Sequence, residues 1–297
     1  MDSSAPSPDS QSQWEATPTR HPDLVGQAPE RSHPSPAGGV LRTAVQRPIA
    51  HGFRPNRGCH AALTTIKRTW TGTTWFIEGD ISACFDNIDH LVLLAILREK
   101  IQDNRFLRLI AQLLQAGYLE DWTFRATYSG TPQGGVVSPL LANIYLDRLD
   151  RFVEDVLLPV YNWGKKRRRN PEYHRLACRY KYLKRTGRAR ETAVLRRTLR
   201  SLPHNDTHDP DYRRLRYLRY GDDFLLGFTG PKLEAEAIKR QIGEFLRETL
   251  KLELAEAKTL ITHGRTEAAR FLGYEVIVQG SVTKIDARGR RSVNGIY

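Results

Sequence analysis

Apolar and polar positions change period several times along this chain, and those changes mark out its elements. In "HAALTTIKRTW" (60–70) apolar residues return every three or four positions, which predicts an amphipathic helix. "TTWFIEGDIS" (73–82) is short, β-branched and aromatic, and reads as a strand. "HLVLLAILREKI" (90–101) and "RFLRLIAQLLQAGY" (105–118) go back to helical spacing, the second closed by Gly117. "GTPQGG" (130–135) is a turn, and "VSPLLANIYLDRLDRFVEDVLL" (137–158) predicts a long amphipathic helix. In "RRLRYLRYGDDFLLGF" (213–228) two strand-like runs meet at Gly221. A helix over 231–250 and short strands at "KLELA" (251–255) and "FLGYEVIV" (271–278) follow. The order β-α-α-α-β-β-α-β, without internal repeat, predicts an α+β fold with helices packed on one face of an antiparallel sheet.

Composition adds the ends and the partner. Residues 1–40 hold seven prolines and seven serines with no apolar period. Such a stretch buries too little surface to offset its ordering entropy, so residues 1–44 are expected to be a disordered tail and folding to begin near residue 45. The chain carries 46 Lys and Arg against 33 Asp and Glu, a net charge of +13, which favours a polyanionic partner. Its longest apolar run, "LVLLAIL" (91–97), is too short to span a bilayer. The N-terminus lacks the basic and apolar regions of a secretory signal, and its acids argue against an organelle transit peptide. Cys59, Cys84 and Cys178 show no metal-ligand spacing and read as free thiols of a reducing, cytoplasmic compartment. Nucleic acid, and no membrane, is the expected partner.

The charge is also local. Between residues 165 and 200 there are 15 Lys or Arg against two acids, a net +13 that equals the charge of the whole chain. A solvated basic helix is one reading of this run. Its interleaved Tyr173, Tyr180 and Tyr182 suit the other, a surface that tracks an RNA backbone.

Asp222 and Asp223 interrupt an otherwise apolar and aromatic pair of runs. Adjacent acids alone usually mark an exposed turn. Here Gly221 permits a tight turn, which would set both acids at the tip of a hairpin held by paired strands. A further acid, Asp80, ends the strand "WFIEGD". Carboxylates gathered from separate strands stay ionised only beside cations. A pair of Mg²⁺ ions, hard and oxygen-seeking, would satisfy them and suit in-line phosphoryl displacement.

Five blocks then carry a resemblance: "HGFRPNRGCHAAL" (51–63), "EGDISACFDNIDH" (78–90), "GTPQGGVVSPLLANIYLDRLD" (130–150), "YGDD" (220–223) and "RFLGYEV" (270–276). Their identity and order resemble the reverse transcriptase/maturase proteins encoded by group II introns, over about residues 46–292. The resemblance implies a polymerase palm with part of the fingers over 45–280, its basic insertion at 165–212. It implies RNA-directed DNA synthesis on an RNA template, the intron RNA itself, from a DNA primer and deoxynucleoside triphosphates, with a maturase role in splicing and mobility.

Roles follow by position. Asp80 and Asp222 would hold two Mg²⁺ ions, with Asp223 either binding metal less directly or supporting the cluster electrostatically. Phe85 would abut the sugar of the incoming nucleotide and exclude a ribose 2′-hydroxyl; on composition alone it is a core aromatic. Gln133 and Gly134 would lie against that nucleotide. Lys258 either protonates the leaving pyrophosphate or is a surface lysine. Leu272 and Gly273 would belong to the hairpin that positions the primer, Arg54 and Arg57 would contact phosphates, and Lys165, Lys166, Arg167, Arg168 and Arg169 would bind RNA. The tail stands where the family carries finger segments, and residues 281–297 match the start of a truncated thumb/maturase junction, so weak polymerisation by this chain alone is expected. Two rival readings are an RNA-dependent RNA polymerase, which Phe85 opposes, and a non-catalytic RNA-binding relic.

Overall fold

The computed structural model describes residues 49–116, 118–120, 123–125, 130–131, 137–206, 209–280 and 294–296. The tail expected over 1–44, the "PQGG" part of the turn and most of 281–297 lie outside the described residues.

Five strands form the central sheet: β1 (Ala50–His51), β2 (Trp75–Gly79), β5 (Arg214–Tyr220), β6 (Asp223–Thr229) and β7 (Ile261–His263). Their order is β1-β5-β6-β2-β7, antiparallel throughout except for β1, which pairs parallel to β5. Two further short strands, β3 (Tyr118–Glu120) and β4 (Thr123–Arg125), make a separate ribbon. A third pairing joins β8 (Ala269–Phe271) to β9 (Tyr274–Val276), and a fourth joins β10 (Val278–Gly280) to β11 (Asn294–Ile296).

Strand alternation sorts the sheet's side chains onto two faces. On one, Ile77, Leu215, Tyr217, Phe224, Leu226 and Phe228 pack against four helices. These are α2 (His90–Arg98), α3 (Asn104–Gln115), α4 (Ser138–Phe152) and α8 (Lys232–Leu250). The opposite face carries Phe76, Leu218 and Leu225, covered by α1 (Cys59–Thr69) and the β8–β9 hairpin. The main helical layer therefore lies on one face, with a single helix and a hairpin closing the other.

Local chemistry explains the helix ends. Asp89 caps α2 by accepting from Val92 N at 2.9 Å, and Asp103 caps α3 by accepting from Arg105 N at 2.8 Å. α8 buries Ala235, Ile238, Ile242, Leu246 and Leu250, a stripe at spacings of three and four, and ends at Lys251 in the left-handed region. The long helix expected over 137–158 is not uniform. It is α-helical to Phe152, turns π-helical over Val153–Leu157, and resumes as the short α5 (Leu158–Tyr161). Pro159 lacks an N–H to donate one turn back, which accounts for a break in the ladder there. The strand expected at "KLELA" does not form: Leu254 makes one isolated bridge to Ile81, and the edge strand falls later, at β7.

Between α5 and β5 the chain leaves the sheet. Trp163 and Arg213 exchange backbone hydrogen bonds of 3.3 and 3.1 Å, and Asn170 N and Asp206 N bond across the same neck. Beyond this neck stands a helical hairpin of α6 (Pro171–Arg185) and α7 (Ala189–Ser201) that buries only Leu183. No described helix is long and apolar enough to cross a membrane.

Candidate active site

The β5–β6 register closes at Tyr220↔Asp223, leaving Gly221 and Asp222 as a two-residue loop. Gly221 sits at φ 64, the sign a tight hairpin of the II′ kind requires at its first central residue. On the other side of β6, β2 pairs through Gly79↔Phe224. Asp80 follows directly on that pair, near enough for its charge to act on both Asp222 and Asp223. Three carboxylates from two separate parts of the chain thus meet at one end of the sheet.

Asp80 is held on both sides. Its backbone carbonyl accepts from Ala255 N at 2.9 Å, and its Oδ2 lies 2.8 Å from Lys258 Nζ. Lys258 is mostly exposed, and its hydrogen bond to Asp80 raises the ammonium's pKa. Burial, followed by the repulsion of Asp222 and Asp80, pushes Asp223 up to about 6, with Lys258 opposing. Asp222 is raised as well, chiefly by burial and then by Asp80, while the backbone N–H groups of Asp222 and Asp223 offset part of this. Beneath them, the buried Cys84 thiol is pushed up to about 12 by burial and then by Asp222, so it stays neutral. The electrostatics describe a site short of positive charge.

All three acids offer hard oxygen donors, which is the chemistry Mg²⁺ takes. Among the described residues no group of three His, Cys, Asp or Glu already stands at metal-ligand spacing. The donor set fits the ion; the Lys258 contact occupies one of its oxygens.

Under the hairpin lies a polar knot that composition gives no reason to expect. Arg219 is fully buried and forks onto Asp150, with Nε to Oδ1 at 2.8 Å and Nη2 to Oδ2 at 2.7 Å. Its Nη1 donates to Asn143 Oδ1 at 2.9 Å and to the Gly221 carbonyl at 2.7 Å. Tyr217 donates its hydroxyl to Asp150 at 2.9 Å, and Asn143 donates to the Gly52 carbonyl at 3.3 Å. Burial works against the guanidinium, yet Asp150 outweighs it and holds its pKa above the usual value. The sequence signal was present but easily passed over: Asn143 and Asp150 lie two helical turns apart on a helix buried nearly all round, where polar residues demand partners.

The other expected residues divide. Gly52, at φ 81, approaches the tip so closely that a Cβ there would stand 2.9 Å from Gly221 N. This sets the "GFRP" loop against the acids, with Arg54 donating to the Ala50 carbonyl at 3.0 Å and Arg57 near enough to lower the Arg54 pKa, though burial lowers it more. Phe85 is half-buried against the helical core and its carbonyl accepts from Thr131 N at 2.8 Å, so the "GTPQGG" block enters beside it. Gln133 and Gly134 themselves lie outside the described residues. Leu272 and Gly273, at φ 54 and 76, form the tight turn between β8 and β9, on the sheet face that also carries Tyr220.

The basic run is less uniform than its sequence. Lys165, Lys166 and Arg169 are exposed. Arg168 pairs with Asp211 at 2.7 Å, and Arg167 is half-buried with its guanidinium 5.5 Å from the centre of the Tyr212 ring. Two of the five cations thus brace the neck of the arm.

Residues 41–166 match the family described as reverse transcriptase (RNA-dependent DNA polymerase). The chain is 43% identical over 256 residues to the group II intron-encoded protein LtrA of Lactococcus lactis, covering 83% of this chain and 42% of that protein. It is 35% identical over 230 residues to the putative COX1/OXI3 intron 1 protein of Saccharomyces cerevisiae, covering 77% of this chain and 27% of the other. This chain spans less than half the length of either. Among solved structures, apo telomerase of Candida tropicalis truncated of its C-terminal domain superposes with a TM-score of 0.48 at 13% identity, over 82% of this chain and 43% of that one.

Proposed function

The chain belongs to the reverse transcriptase family, among the group II intron-encoded proteins, and on that premise we propose that it is an RNA-directed DNA polymerase palm using Asp80, Asp222 and Asp223. The observation that carries this reading is the convergence of the three acids at one end of the sheet, with burial and mutual repulsion raising two of them. Such a cluster costs free energy unless a cation joins it. The three would hold two Mg²⁺ ions, whose chemistry when bound is to acidify the primer 3′-hydroxyl and neutralise the triphosphate.

The remaining residues are assigned by place. Lys258, held protonated by Asp80, is a proton source for the leaving pyrophosphate. Phe85, whose carbonyl accepts from Thr131 N at the entry of the "GTPQGG" block, would bar a 2′-hydroxyl, with Gln133 and Gly134 against the same nucleotide. Arg54 and Arg57, on the "GFRP" loop whose Gly52 lies against Gly221, would take template or triphosphate phosphates, while the Leu272–Gly273 turn would support the primer end. The exposed cations of the arm would bind the intron RNA that is both template and splicing partner. We place the protein in the cytoplasm, with its three cysteines free.

The test is primer extension on an RNA template with deoxynucleotides and Mg²⁺. Asp222→Asn should fold normally and lose extension by about a thousandfold or more, since the site loses a charged ligand and the reaction its stabilised charge. Unchanged extension by this variant at saturating Mg²⁺ would remove Asp222 from the chemistry. RNA binding that persists in a wild-type chain unable to extend would favour the non-catalytic reading, which the exposed basic arm independently suits.

A further inference from the structure

We propose that Arg219 is a positioning residue for the acidic tip: from beneath the sheet it sets the plane of the Gly221–Asp222 peptide and thereby aims the Asp222 carboxylate. The inference rests on the active-site reading above, and it concerns a group that never touches substrate.

The geometry runs in one direction. Arg219 Nη1 pulls the Gly221 carbonyl inward at 2.7 Å. In a trans peptide the carbonyl and the following N–H point opposite ways, so the Asp222 N–H is turned outward, away from the knot. Fixing that carbonyl therefore fixes the peptide plane from which the Asp222 side chain departs.

The anchor itself cannot drift. Arg219 and Asp150 are both fully buried, and the forked pairing of guanidinium with carboxylate constrains orientation as well as distance. Asn143 accepts from the same guanidinium and donates to the Gly52 carbonyl, so the "GFRP" loop is registered by the same group. Gly52 in turn lies against Gly221 N. One buried cation thus ties α4, the acidic tip and the neighbouring loop to a common origin. A lysine would preserve the charge but has no planar fork with which to satisfy Asp150, Asn143 and Gly221 together.

The decisive experiment separates position from stability. Removing Arg219 alone strands the Asp150 charge, so the informative variant is Arg219→Met combined with Asp150→Leu, which removes both charges and keeps the volume apolar. Buried pairs replaced in this way commonly leave the fold intact. The control is Arg213→Met combined with Glu234→Leu, which removes a forked pair at the opposite end of the same strand, where Nε to Oε2 is 2.6 Å. Two readouts are taken on full-length protein whose melting curves remain cooperative: amide hydrogen exchange of residues 221–223, and Mn²⁺ affinity by electron paramagnetic resonance. Loss of tip protection and a Mn²⁺ affinity weaker by about ten- to a hundredfold is expected for the Arg219/Asp150 variant and not for the control. Arg219→Lys should show the same loss of tip protection. Exchange at the tip unaltered in a folded Arg219/Asp150 variant overturns the proposal. A wild-type protein that binds no Mn²⁺ would count against the active-site reading, and the exchange data would still decide the role of Arg219.

Discussion

Two ion pairs of the same length show how differently this chain uses charge. Arg219 and Asp150 meet at 2.7 Å with both side chains fully buried; Arg168 and Asp211 meet at 2.7 Å with both more than half exposed. The first lies under the acidic tip and is saturated with hydrogen bonds from one strand, the hairpin tip and a helix. The second lies on the neck of the basic arm, in water. Distance alone says nothing of their roles, because the surrounding dielectric sets what each pair is worth. Under the proposed site the molecule buries its charge and bears the desolvation. On the arm, where we propose that RNA binds, it leaves cations exposed with a single buried leucine. Phosphate contacts tolerate loose geometry; metal-bound chemistry does not.

The sharpest way to break this comparison is to cut one partner from each pair. Asp150→Ala should cost about 3–5 kcal/mol in urea unfolding, since it strands a buried guanidinium. Asp211→Ala should cost about 0–1 kcal/mol. Equal losses would mean that burial does not distinguish the two sites.

A smaller effect is expected at the arm. Replacing the exposed Lys165, Lys166 and Arg169 by glutamine should weaken RNA binding. The slope of log K against log salt should fall by about 0.7–0.9 for each phosphate that is no longer neutralised. Arg167→Gln should instead loosen the neck, because that side chain is stacked on Tyr212 and half-buried. Titrations over a range of salt, paired with melting curves, tell the two outcomes apart. An unchanged slope in the triple variant would leave those residues as a solvated face.

The smallest effect concerns pH. Asp223 has its folded-state pKa raised from 3.8 to about 6, so the folded protein binds the proton more tightly than the unfolded chain. Stability without divalent ions should therefore fall as pH rises from about 4 through 6; the full shift corresponds to about 3 kcal/mol, which the group's partial exposure reduces to about 1–2 kcal/mol. Asp223→Asn should be more stable than wild type at pH 7 and should lack that part of the pH dependence. Added Mg²⁺ should narrow the difference between the two at pH 7. Denaturant midpoints measured across the pH range check all three statements.

Much of the fold was legible because its elements carry their own period. The stripe of α8 and the strand-like runs of β5 and β6 are local, and local physics suffices to read them. "KLELA" misled because its alternation suits a strand, yet whether a neighbour offers an edge to pair with is a property of the sheet. Phe85 and the "GFRP" loop were singled out only through resemblance, since nothing in their own composition distinguishes a nucleotide contact from a core ring or a surface turn.

By itself the sequence determined that two adjacent acids follow a glycine between strand-like runs, that a third closes another such run, and that the excess charge is confined to 165–200. These follow from residue order, and no packing could have changed them. Only the tertiary structure decided that Asp80 comes close to Asp223, because register between strands 143 residues apart in the chain is set by which faces can be buried together. Only it decided that Arg219, one cation among 46, is enclosed and that Arg169 is not. A side chain's charge is written in the sequence, but its surroundings, and hence its free energy, are supplied by the residues that folding brings around it.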